Sequence, residues 1–396
     1  MPTDDAGALA TMPEPIRSNV PGSFAWGVLH QRHQTLIAKV RDAFPYPPPQ
    51  QQAIDDLLTE ITTGKIEPLS REAHDHGDWD RWGADYFGQS WPDVPFLWAE
   101  SYFYRKLLAA VGYFTPGPWQ GIDPFQPQKT AELADQALDA ELAHLDSLTR
   151  PADEERSVAL TAAALWGNRA DLGFRLSDPG SQEREHVTDL VADDTAALWQ
   201  HLDSGGPGGV CVIADNAGRE LLADLILIDH LLQTGRADRV ELHLKPHPYY
   251  ISDATGSDLV ACLNRLLTAP SEAAAIGKRL WNALRSGQLH LDAHPFYCTP
   301  LTYRDLPPDL AARFASAKLV ILKGDLNYRR LVGDLHWPAP TPFIALTSYF
   351  PGPLAALRTL KSDVAVGVDP DTLTALDSTG EAWRTSGTHA MIQVRT

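Results

Sequence analysis

The apolar positions of this chain follow two different rhythms. From about Ser23 to His201 they recur at helical spacing, most clearly in Pro95 to Val111 and Thr130 to Leu148, with few β-branched runs, so the spacing predicts a helical region. Asp203-Ser-Gly-Gly-Pro-Gly-Gly209 then breaks the pattern with turn formers. Beyond it, short apolar runs alternate with helical stretches. Val210 to Ala214, Val240 to Leu244, Gln288 to Leu291, Lys318 to Leu322, Phe343 to Thr347 and Val364 to Val368 read as buried strands, and Arg219 to Gln233 and Leu259 to Thr268 as helices between them. Short apolar runs separated by helical patterns predict a mostly parallel sheet in a three-layer α/β/α, Rossmann-like arrangement. The expected organisation is a disordered tail over 1–20, a helical domain over 21–204 and an α/β catalytic domain over 205–396.

Composition narrows the class. An apolar content of 44% with eleven tryptophans in 396 residues supports packed cores rather than a disordered chain. Fifty-one acids against thirty-three bases give a formal charge of -18, which repels polyanions and argues against nucleic-acid binding. The three cysteines, Cys211, Cys262 and Cys298, lack metal-finger spacing and fit reduced, buried thiols. The first twenty residues lack a basic start followed by an apolar run, and no stretch approaches a membrane span. A cytoplasmic protein is expected; its oligomeric state is left open.

Ligands of open parallel sheets bind beyond the carboxyl ends of the strands. The polar residues following the expected strands are Asp215-Asn216 with Glu220, then Lys245 through Ser252-Asp253, then Lys323-Gly-Asp325-Leu326-Asn327-Tyr328-Arg329-Arg330, and then Thr347-Ser-Tyr349 with Arg358 to Asp363. Asp215 and Asp253 are 38 residues apart, the length of a strand-helix-strand unit, so adjacent parallel strands bring their ends together. Two carboxylates and an amide are hard oxygen donors of the kind that hold magnesium or manganese beside a phosphate. Lys323, Arg329 and Lys361 are the expected phosphate-binding cations. Each residue also has an ordinary reading: Asp215-Asn216 and Asp253 as helix caps or turn formers, Lys323-Gly-Asp325 as a strand-ending turn, Arg358 and Lys361 as solvated charges.

Other constellations compete less well. His74-Asp-His-Gly-Asp-Trp-Asp80 holds ligand-type side chains without an i, i+4 histidine pair and reads as a polar loop. His243 and His247 flank Lys245 and would share a strand face, where structural histidines are the usual finding. The glycine-rich run precedes its strand, unlike a dinucleotide fingerprint, and no nucleophile elbow, Walker loop or zinc-peptidase motif occurs.

The Lys323-Gly-Asp-Leu-Asn-Tyr-Arg329 run, Asp215-Asn216-x-x-x-Glu220, Ser252-Asp253 and Arg358-Thr-x-Lys361 resemble the damage-control phosphatases, in the branch that includes proteins called acidic residue methyltransferases. Glu100-Ser-Tyr-Phe-Tyr-Arg105, Asp123-Pro-Phe-x-x-x-x-Lys129 and Leu165-Trp-Gly-Asn-Arg-Ala-Asp171 extend the likeness over nearly the whole chain after about residue 20. Ser101 departs from the cysteine expected in many relatives. The resemblance implies a helical domain joined to an α/β domain and a divalent metal (manganese, magnesium, cobalt or nickel) held by Asp215, Asn216 and Asp253. It also implies substrate contacts from Asp215, Asn216, Asp325, Leu326, Asn327, Tyr328, Arg329 and Lys361, with Asp215, Asp253 and Asp325 as the catalytic carboxylates. The implied substrate is a small phosphorylated metabolite, such as fructose 1-phosphate or fructose 6-phosphate. Glu100, Arg105, Asn168 and Arg169 either close the pocket from the helical half or pair across the junction of the two halves. An S-adenosylmethionine-dependent carboxyl methyltransferase is the runner-up, disfavoured by the missing glycine-rich cofactor chemistry; a non-catalytic metabolite-binding protein is the third reading.

Overall fold

The structure is a computed structural model that describes residues 12–145, 153–167 and 190–396. A seven-stranded sheet organises it, with strands β1 (Leu190–Asp193), β2 (Gly209–Ile213), β3 (Arg239–His243), β4 (Leu289–Asp292), β5 (Leu319–Lys323), β6 (Leu354–Thr359) and β7 (Ala390–Arg395) in the order β1-β7-β6-β5-β2-β3-β4. β6, β5, β2, β3 and β4 are mutually parallel, and β7 joins β6 antiparallel.

Alternation along β2 sends Val210 and Val212 into one core and Cys211 and Ile213 into the other, so both faces of the strand are covered. The first core lies beneath Arg219–Gln233, Gly256–Leu267 and Ser271–Ser286, and the second beneath Pro308–Ser316 and Gly324–Val332. A third core, rich in aromatic rings, is built by His33–Ala43, Pro48–Thr63, His76–Trp82 and Phe96–Ala110. There Trp79 and Trp98 both pack on Tyr102, with ring centroids 5.0 and 4.9 Å away. The fold class is therefore as expected: α/β with a mostly parallel sheet, accompanied by many helices.

Two expected strands are corrected. Phe343–Thr347 is a short helix opened by Pro342, and it buries Phe343, Leu346 and Thr347 on one side. Residues 364–368 lie in no strand and bend at Gly367; Gly367 N–H and Val368 N–H bond to the carbonyls of Thr341 and Ala339 instead. The strands that occupy these places in the sheet are β6, whose Leu-Ala-Ala-Leu run has helical propensity, and β7. Burial between neighbouring strands overrode local preference. β1 precedes the glycine-rich turn yet joins the sheet beside β7, and Leu198, Trp199 and Leu202 of Thr195–Asp203 sit in the sheet's first core. Sheet structure thus starts before residue 205. The expected tail also ends before residue 20: Ile16 is buried, its N–H bonds to Asp334 O and its carbonyl accepts from Phe96 N–H.

Candidate active site at the carboxyl edge of the sheet

β2 and β3 end side by side, and their following loops pair through the backbone. Ala254 N–H donates to Asp215 O at 2.8 Å, Ala217 N–H donates to Ser252 O at 2.6 Å, and Asn216 faces Asp253 in an antiparallel bridge. Asp215, Asn216 and Asp253 are thereby brought together and buried. The Asn216 amide donates to Asp215 Oδ2 and to Glu220 Oε2, both at 2.8 Å, and its oxygen accepts from Ser252 Oγ. Burial drives the Asp215 carboxyl well above the usual carboxylate range; the negative charges of Glu220 and Asp253 push it further, against weaker opposition from Lys361 and Lys245. Lys245 Nζ lies 3.7 Å from Asp253 Oδ2.

The end of β5 closes this cluster from the other side. Gly324 adopts φ +82°, and a Cβ there would lie 1.8 Å from Asp215 Oδ2, so only glycine allows the two loops to approach so closely. Asp325 follows at once. Its Oδ1 accepts from Arg358 Nε at 2.8 Å, Lys361 N–H at 3.2 Å and Ser362 Oγ at 3.1 Å. Burial works to raise this carboxyl, but the Arg358 and Arg329 guanidiniums prevail and hold it below the ordinary value. Arg358 and Lys361 thus stand at the edge as expected, although the strand that delivers them is β6 rather than 343–347.

Several expected substrate contacts are already engaged within the protein. Lys323 points inward, donating to Asp224 at 2.6 Å, Glu220 at 3.1 Å and Ala164 O at 2.7 Å. Arg329 forms a two-pronged pair with Asp334, both arms at 2.9 Å, and reaches Glu100 at 2.8 Å. Asn327 accepts from Tyr303 OH, the Tyr328 hydroxyl donates to Gln393, and Leu326 packs with Leu97 and Tyr249. Of the three cations named from sequence, Lys361 alone makes no side-chain ion pair among the described residues, and its side chain remains exposed.

The helical half braces the site. Lys129 Nζ donates to Asp253 O and Asp258 Oδ2, each at 2.9 Å, and to Asp123 Oδ2 at 3.0 Å, tying three chain segments together. Asp258 also completes a capping box with Thr255 at the start of Gly256–Leu267, which fixes the loop that carries Asp253. Glu100 crosses between the halves to Arg329, whereas Arg105 stays in the helical half with Asp75. Asn168 and Arg169 lie outside the described residues. The His74–Asp80 segment behaves as a polar loop entering a helix, with Asp75 committed to Arg105. Sequence reasoning assigned no role to Glu220, Lys245, Ser252, Lys129 or Arg358; their one signal was a place in the motif runs or at a strand end.

Residues 28–375 match the damage-control phosphatase ARMT1-like domain. The chain belongs to that family. Among its relatives are proteins named damage-control phosphatase ARMT1 from Danio rerio, 29% identical with 96% of each chain covered, and from Homo sapiens, 27% identical with 97% of this chain and 99% of the relative covered. A crystal structure of a DUF89 family protein from Pyrococcus horikoshii overlaps 89% of this chain and 94% of its own, with 16% identity and a TM-score of 0.48. No helix among the described residues is long and apolar enough to cross a membrane.

Proposed function

We propose that this protein is a divalent-metal-dependent phosphatase of small phosphorylated metabolites, with sugar phosphates of the fructose 1-phosphate or fructose 6-phosphate type as substrates. The observation that carries the reading is the crowding of three buried carboxyls, Asp215, Glu220 and Asp253, at the joined ends of β2 and β3. Glu220 and Asp253 repel a carboxylate at Asp215, and buried charge of this kind calls for a cation. Asp215, Asn216 and Asp253 offer the oxygen donors that magnesium, manganese, cobalt or nickel accept, and such ions complete their coordination with phosphate oxygens.

When bound, the divalent ion would neutralise phosphate charge as a Lewis acid. The protein's own part in the reaction follows from the two loops around it. Lys361 would meet the phosphate from the open side and stabilise its oxygens as charge redistributes. The helix Gly324–Val332 begins against Asp215, so its first N–H groups offer further donors at the same place. Arg358 keeps Asp325 ionised and fixed, suited to accepting a hydrogen bond from a sugar hydroxyl or from the attacking water. Lys129 and the Thr255–Asp258 cap hold the Asp253 loop so that its carboxylate need not be repositioned during turnover.

The test is phosphate release from a panel of sugar phosphates and nucleotides by metal-stripped protein, with magnesium, manganese, cobalt or nickel restored one at a time. Release from a hexose or pentose phosphate that requires the added ion is the expected result. No release with any ion, together with calorimetric binding of S-adenosylmethionine, would replace this reading with the methyl-transfer one.

A further inference from the structure

A second group of ligand-type side chains lies lower on the same sheet and plays no part in the reaction above. Cys211 on β2 is in register with Glu241 on β3, and His243 follows Glu241 on the same face. The thiol, a Glu241 carboxylate oxygen and a His243 ring nitrogen lie within 4.8 Å of one another. His243 Nε2 is 3.7 Å from Glu241 Oε2. Both of those atoms are buried and neither has a hydrogen-bond partner among the described residues, an arrangement that native interiors rarely tolerate. The other ring nitrogen is held: Nδ1 is 2.8 Å from the Tyr297 hydroxyl and 3.7 Å from Asp292 Oδ2. A ligating imidazole is normally oriented through its second nitrogen in this way. Metal bonds of roughly 2.0–2.3 Å at tetrahedral angles set ligand atoms about 3.3–3.7 Å apart, so small side-chain adjustments complete the geometry.

We infer that Cys211, Glu241 and His243 form a second metal site, selective for a borderline-soft divalent ion of the zinc class and separate from the Asp215 cluster. Asp215 lies four positions beyond Cys211 in the chain, about 13 Å at the usual strand rise. The donor sets differ in kind: thiolate, imidazole and carboxylate here, against oxygen donors alone at the strand ends. Binding exchanges the Cys211 S–H bond for an S–metal bond and releases one proton to solvent. Glu241, the one partly exposed ligand, lies on the side from which an ion would enter, with water in the fourth position. The proposal stands independently of the phosphatase reading.

Full-length protein stripped of metal and titrated with Co2+ tests it, with Zn2+ counted per chain by mass spectrometry after dialysis. A sulfur-to-cobalt charge-transfer band in the near ultraviolet is expected for the unmodified protein and for Asp253→Asn, and absent from Cys211→Ser. Glu241→Gln, a substitution at a partly exposed position, serves where Cys211→Ser unfolds; it should weaken Zn2+ binding at least tenfold while circular dichroism stays unchanged. Absence of the band in the unmodified protein would overturn the proposal. So would a Zn2+ affinity that Glu241→Gln leaves unaltered.

Discussion

Asp215 and Asp325 each follow a parallel strand, each is the first acid beyond it, and the two strands are neighbours in the sheet. Their surroundings are nevertheless opposite. Asp325 is met by a guanidinium, a backbone N–H and a hydroxyl, and its carboxyl is held low. Asp215 is met by an amide, by the acids Glu220 and Asp253 and, among the described residues, by no direct cation, and its carboxyl is driven up, first by burial and then by those acids. The protein balances the charge of one acid, and among the described residues it gives the other no direct counterion. A buried acid by itself says little about function, whereas a buried acid whose charge the protein does not balance marks where a cation belongs.

The sharpest way to break the comparison is to undo the compensation at Asp325. Arg358→Leu leaves a buried carboxylate without its counterion, and a loss of about 3–5 kcal/mol is expected in urea unfolding. An Arg358→Leu protein as stable as the parent would mean that Asp325 is not the satisfied member of the pair.

Asp253→Asn acts on the other member. Metal-dependent phosphate release should fall by about a thousandfold, roughly 4 kcal/mol of barrier, while the fold persists because an amide replaces a carboxylate of equal size. Unchanged turnover would remove Asp253 from the metal set.

Acidity should separate the two acids without mutation. Since the Asp215 carboxyl titrates above its unfolded value, the folded state binds the extra proton; its stabilising contribution is complete below the ordinary carboxylate range and is lost as pH rises toward the elevated folded value. Asp325 has the opposite sign, its contribution being present above the ordinary range and lost as pH falls below it. Metal-free protein should therefore gain more melting temperature from added manganese at pH 8 than at pH 5. An equal gain at both would show that the ion does not relieve Asp215.

Lys361→Ala is the mildest expected change, with a KM for the sugar phosphate raised about tenfold, near 1.4 kcal/mol, and a similar melting temperature, since the side chain is exposed and makes no ion pair among the described residues. An unaltered KM would leave the phosphate to the backbone donors and the ion.

What the chain alone made legible was local or periodic. Short, mainly apolar runs marked β2, β3, β4 and β5, helical spacing marked Phe96–Ala110 and Arg219–Gln233, and the 38-residue interval from Asp215 to Asp253 implied two loops at one sheet edge. These features survive because they depend on spacing within one segment or between adjacent ones. The identity of β6 and β7 was not legible: Leu354–Thr359 has a helix former's composition, and its extended form is imposed by β5 beside it. Nor could sequence tell a free cation from an engaged one. Lys323, Arg329 and Lys361 look alike as basic residues near strand ends, and only the fold turns Lys323 toward Glu220 and Asp224, locks Arg329 between Glu100 and Asp334, and leaves Lys361 at the surface. Charge balance at a buried site is a sum over residues far apart in the chain, so tertiary structure alone decides it.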